Sequence, residues 1–152
     1  MKIAHISDIH FRGTQRHDEY VAATKRLVSQ LENEDKPDII VCTGDIWHTK
    51  TNNITPEGID VLVWFFRTLA NVAPLHMILG NHDGNLANET RQDVISPIVE
   101  AMNDPRIKLY KKSGVYQVRT NGDPLVLNLC VMSCFDKENW NLQFAGAFNP
   151  LY

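Results

Sequence analysis

The chain has 152 residues, 43% of them hydrophobic and 22% charged, a balance that suits one globular domain able to bury a core. Its net charge of −3 excludes a global basic footprint, so any anionic substrate must be held by metal ions and local cations. No apolar stretch approaches the roughly 18 residues of a membrane span and the N-terminus lacks a secretory pattern, so no membrane partner and a cytoplasmic location are expected.

Lys2 to Ser7 is β-branched and partly alternating, and reads as a strand that runs straight into the polar Asp8-Ile9-His10. From Asp18 to Leu31 the apolar residues Tyr20, Val21, Ala23, Leu27, Val28 and Leu31 recur mostly at three and four. This predicts an amphipathic helix capped by Asp18. Pro37 breaks it, and Ile39 to Cys42 is a continuous apolar run ending in Thr43-Gly44-Asp45, a buried strand and a turn. Thr55 and Pro56 form a helix start ahead of the stripe Ile59, Leu62, Val63, Phe66 and Leu69. Leu75 to Leu79 is a third apolar run, ending in Gly80-Asn81-His82-Asp83.

Repeated βα units favour a parallel sheet, in which ligands sit beyond the carboxyl ends of the strands. The three polar clusters should therefore converge on one edge. After Ser96-Pro97 a third helix, Ile98 to Met102, leads to short strands at 107–110, 115–119 and 125–132, with a turn at Asn121-Gly122. These three strands are expected to form an antiparallel addition. Cys42, Cys130 and Cys134 lie in or next to apolar runs, where free cysteine acts as a small buried hydrophobe, and their odd number argues against a disulfide framework.

In Asp8-Ile9-His10 the two polar side chains are two apart, so at a strand end both face one side and can grip one ion. Alone this pattern is weak, as is Gly44-Asp45 with His48 three residues on. Gly80-Asn81-His82-Asp83 is stronger, since chance yields it about 0.002 times in a chain of this composition. Carboxylate, imidazole and amide oxygen together suit a first-row divalent ion, Mn²⁺ before Mg²⁺, Fe²⁺ or Zn²⁺. Two such ions sharing one carboxylate can activate a water and stabilise phosphate oxygens during in-line attack, and Asp45, from the middle strand, is best placed to bridge them.

In this order and strand context, D-x-H, G-D-x-x-H and G-N-H-D resemble the first three signatures of the calcineurin-like metallophosphoesterases. The resemblance covers residues 2 to about 135. It implies an α/β fold, the N-terminal part of a four-layer αββα sandwich with a parallel βαβαβ core, formed by a single domain over residues 1–152. By resemblance Asp8, His10 and Asp45 hold one metal, and Asp45 with Asn81 holds the second. His82 faces the substrate and assists the leaving oxygen, with Asp83 orienting its ring. The opening KIAHISDIHF, the GDIWHTK segment and GNHDGN followed by RQD are most similar to SbcD-type DNA exonucleases, especially their bacteriophage recombination-nuclease relatives. That branch implies His48 near the scissile phosphate, DNA as substrate, an SMC-like ATPase partner of the SbcC type and a homodimer in the complete protein.

Arg12, Arg16 and His17 are candidates to face DNA phosphates. His5 and His76 lie within strands and read as core or sheet-face residues, and Trp64-Phe65-Phe66 as helical core. The family also supplies a later single His and a G-H-x-H motif, whereas no histidine follows His82 here. The chain is thus expected to be an N-terminal portion, binding metal weakly and turning over little by itself. Two other readings stand beside the nuclease: a phosphatase or nucleotide phosphodiesterase of the same fold, and a catalytically silent assembly module for an ATPase.

Overall fold

A computed structural model describes residues 1–48, 53–87, 92–120 and 126–140. Four strands, β1 (Ile3–Ile6), β2 (Ile39–Cys42), β3 (Leu75–Ile78) and β4 (Ile107–Tyr110), form one parallel sheet in the order β1-β2-β3-β4. They are joined through α1 (His17–Gln30), α2 (Pro56–Val72) and α3 (Ser96–Met102). With strands adjacent in chain order, right-handed crossovers place every helix on the same face of the sheet.

The side-chain register follows from this. In-register neighbours of a parallel sheet share a face, and Ala4, Ile40, Leu75 and Ile107 form one such row. That row, with Cys42 and Met77, packs beneath Leu62, Phe66 and Leu69 of α2 in the main apolar core. Phe65 and Phe66 belong to this core and Trp64 packs against it, as the sequence suggests. Ile59, counted in the apolar stripe, instead stays 39% exposed. The opposite face carries Ile3, His5, Val41, His76 and Lys108. The antiparallel pair β5 (Gly114–Arg119) and β6 (Val126–Val131) lies against part of that face, where Tyr110 and Tyr116 touch at a ring-centroid distance of 4.4 Å.

Three expectations are corrected. The strand at Ile107–Tyr110 is not antiparallel: the seven-residue α3 is long enough to carry the chain back over the sheet, so β4 joins β3 in parallel register. The first helix begins two residues earlier than expected, and its N-cap is Arg16 in a left-handed conformation (φ 63°) rather than Asp18. Asp18 and Glu19 sit in the first turn, where their charges complement the helix dipole. Of the cysteines, Cys42 is buried, its thiol pushed up to about 12 by desolvation, but Cys130 is exposed because β6 turns it to solvent. The second helix keeps to the sequence reading: Pro56 opens it, and Thr55 Oγ1 accepts the Gly58 N–H at 3.1 Å. The turn at Asn121-Gly122 lies outside the described residues.

Candidate metal centre

All three polar clusters leave the same edge of the sheet. The chain leaves β1 and β2 as two loops zipped along their backbones. Asp8 N–H donates to Gly44 O (3.1 Å), His10 N–H to Asp45 O (2.9 Å), Phe11 N–H to Ile46 O (2.8 Å) and His48 N–H to Phe11 O (3.0 Å). Phe11 and Trp47, both fully buried, pair in parallel beyond the loops and anchor them in the core. Between these supports Asp8, His10 and Asp45 hold left-handed backbones, with φ of 56°, 52° and 51°. Non-glycine residues rarely take this region, and here surrounding hydrogen bonds hold it.

The third loop meets the second through two glycines. A Cβ on Gly44, whose φ is +92°, would sit 2.2 Å from Gly80 N, and one on Gly80 would sit 2.1 Å from Asp45 Oδ1. The glycines before Asp45 and Asn81 therefore let the two loops touch backbone to backbone. Asp45 Oδ1 takes up the remaining room by accepting the His82 N–H at 2.9 Å.

Asp83 completes the join. It is fully buried, and its two oxygens accept the Trp47 N–H (2.7 Å) and the Gly80 N–H (2.8 Å). Burial pushes its carboxyl up to about 6, with the Asp45 charge adding to the rise, against the backbone amides of Trp47, Gly80 and Ile46 that pull it down. This corrects the role expected from resemblance. Asp83 ties the Asp45 loop to the Asn81 loop, and the ring of His82 is held by another group: its Nδ1 lies 2.8 Å from the main-chain carbonyl oxygen of His48.

The side chains thus assembled form two overlapping sets. Ligand atoms of Asp8, His10 and Asp45 lie within 4.8 Å of one another, as do those of His10, His48 and His82. His10 Nε2 is 3.9 Å from both Asp8 Oδ1 and Asp45 Oδ2. That separation is too long for a direct hydrogen bond, yet two ligands of one ion at about 2.2 Å can adopt it. Nδ1 of His10 and of His48 is buried without a hydrogen-bond partner, and burial and the Arg12 guanidinium hold His48 below the ordinary imidazole range. Imidazoles and two carboxylates, with Asn81 next to His82 in the sequence, make a donor set that fits divalent cations.

Arg12 acts on His48 through its charge and so borders the site. Arg16 does not present a free guanidinium, since it is paired with Glu19 at 2.5 and 3.0 Å. The His17 ring is 2.6 Å from Arg12 O and supports the loop. His5 lies on the sheet face against Thr43 Oγ1 (2.9 Å), and His76 is buried against Tyr110 Oη (2.7 Å). Tyr20 was not singled out from sequence, although its hydroxyl donates to His10 O at 2.8 Å and fixes that loop to α1. The only sequence signal for it was its place on the inner stripe.

Metal-competent carboxylates and imidazoles at the carboxyl edge of a parallel sheet define a candidate metallohydrolase. The chain belongs to the calcineurin-like phosphoesterase family, whose model matches residues 1–141. It is 48% identical over 118 residues to uncharacterized protein R555 of Acanthamoeba polyphaga mimivirus, a match that covers 76% of this chain. The chain spans only 9% of that relative's length. No helix among the described residues is long and apolar enough to cross a membrane.

Proposed function

We propose that this chain is the metal-binding domain of a DNA phosphodiesterase of the SbcD nuclease type. The observation that carries the reading is the convergence of Asp8, His10 and Asp45 with the imidazoles of His48 and His82 on one sheet edge. Asp8, His10 and Asp45 would hold one cation, and Asp45 with Asn81 a second. Bound there, the two ions would lower the pKa of a water and neutralise charge on the phosphate. Asp45 suits the shared position because it leaves the strand between β1 and β3.

The chain's own groups divide the remaining work. His82 carries a proton on Nδ1, because a carbonyl can only accept, so Nε2 is the nitrogen left to the site, and with a second proton there it would donate to a phosphate oxygen or a leaving group. His48 and Arg12 flank it and would face the scissile phosphate. A DNA substrate is favoured over a small phosphoester by Ile46-Trp47-His48 after the second cluster and by Asp83 after G-N-H, both similar to the nuclease branch. The same similarity supports Mn²⁺ as the working metal, a homodimer, and an SMC-like ATPase of the SbcC type as partner.

The test is cleavage of linear duplex DNA, with Mn²⁺, by the natural protein that carries this domain. Mn²⁺-dependent cleavage that Asp45→Asn abolishes without unfolding the protein is the expected result. Turnover of phosphomonoesters but not of DNA would replace the nuclease reading with the phosphatase one, and undiminished cleavage by Asp45→Asn would remove the metal reading.

A further inference from the structure

At the edge of the sheet opposite the metal centre, the starts of β2, β3 and β4 and the end of β5 line an open pocket of about 570 Å³. This volume lies within the range of small-molecule pockets, roughly 300–1,000 Å³. Its lining combines three cations and several hydrogen-bonding side chains with four apolar residues and one acid, Asp38. His76 and Lys108 are register partners on β3 and β4, so their side chains stand side by side on one face, and Arg119 and Thr120 approach from β5.

Each of these groups is left with capacity to bind. His76, only 6% exposed, has its Nδ1 2.7 Å from Tyr110 Oη. A tyrosine hydroxyl donating there leaves Nε2–H as a donor on the imidazole. Burial and the neighbouring Lys108 charge both lower the His76 pKa, which keeps the ring neutral. Thr120 Oγ1 is buried with no hydrogen-bond partner. Lys108 and Arg119 have no ion-pair partner among the described residues. Arg106, the third cation of the lining, is held by Asp104 and Asn71. The one acid, Asp38, is engaged by the Lys2 N–H at 2.5 Å and approached by the N-terminal ammonium at 3.8 Å.

A pocket with two cations unpaired among the described residues, an orphaned hydroxyl and a single acid, itself paired through Oδ2, is complementary to a compact, multiply charged oxyanion. We propose that this cavity is a second ligand site, separate from the metal centre, for a phosphate-bearing ligand of up to mononucleotide size. Lys108 and Arg119 supply the charge, while Thr120 and His76 supply directional hydrogen bonds to the phosphate oxygens.

The experiment is an NMR titration of the chain in EDTA at fixed ionic strength, with inorganic phosphate in one arm and deoxyadenosine monophosphate in the other. Saturable shifts at His76, Lys108, Arg119 and Thr120 are expected. The double variant Lys108→Ala/Arg119→Ala should weaken binding at least tenfold, and Asp45→Asn should leave it unchanged. Both Lys108 and Arg119 are exposed, so the double variant should keep its fold. Tighter binding of the nucleotide would assign the site to nucleotides, and equal binding would assign it to the phosphate group alone. Shifts confined to His10, His48 and His82, the absence of saturable shifts with either ligand, or unchanged affinity in the double variant would overturn the proposal.

Discussion

The Nδ1 of His82 donates to the main-chain carbonyl of His48 across 2.8 Å, which joins two loops that leave neighbouring strands. The bond sets both the tautomer and the ring orientation of His82, and neither depends on a metal. In the natural protein, His82→Ala should therefore leave Mn²⁺ affinity within about threefold while lowering the rate of phosphodiester cleavage about a hundredfold or more. Calorimetry beside a rate assay separates the two. Equal losses in metal binding and rate would instead make His82 a ligand.

Asp83 has a different kind of role. Asp83→Ala would strip acceptors from the buried Trp47 N–H and the part-buried Gly80 N–H, and a buried uncompensated donor costs about 1–3 kcal/mol. We expect a lower melting temperature together with weaker metal binding, because the loops bearing Asp45 and Asn81 are no longer tied. Hydrogen exchange on the unmodified chain offers a second check: the Trp47 and Gly80 amides should exchange more slowly than exposed loop amides such as that of Asn53. Fast exchange at both would show that the tie does not exist in solution.

Gly44→Ala should be among the most damaging small substitutions. Its Cβ would lie 2.2 Å from Gly80 N on a backbone with φ +92°, and a loss of about 3 kcal/mol or more follows from the combined clash and strain. Gly13→Ala is the control, since its Cβ would meet nothing closer than 3.7 Å and should change stability by less than about 1 kcal/mol. Denaturant unfolding of both variants gives the comparison.

His76 makes stability depend on pH. Burial, with the Lys108 charge beside it, lowers its pKa in the fold, so the unfolded chain binds the proton more readily. The contribution is fully present above the unfolded value of about 6.5 and is lost as pH falls below it through the lower folded value. His76→Gln should flatten the stability profile over that window. An unchanged slope would assign the acid sensitivity elsewhere.

Much of this architecture was legible in the residues, because the first strand is β-branched, the second and third are apolar runs, and all three end in a polar cluster that says where the strand stops. The fourth strand was misplaced for an identifiable reason: Ile107–Tyr110 has the same short β-branched character as the strands after it, and only the pairing with Leu75–Ile78 shows its direction. Site residues were legible as types and spacings. What orients them was not, since the hydrogen bonds from Trp47 to Asp83, from His82 to His48 and from Tyr20 to His10 link positions 36, 34 and 10 residues apart and leave no local pattern. Gly44 and Gly80 had a visible signal, each standing just before a proposed ligand, but their mutual contact appears only once the loops are placed.

The central claim, that three loops form one metal centre, is tested most directly by paramagnetic broadening. Substoichiometric Mn²⁺ added to the isotopically labelled chain should erase the resonances of Asp8 to His10, Gly44 to Asp45 and Gly80 to His82 together, while those of β5 and β6 persist. Asp45→Asn should abolish the effect at all three segments. Broadening at only one of these segments, at an unrelated surface, or at none with millimolar Mn²⁺ would contradict the account.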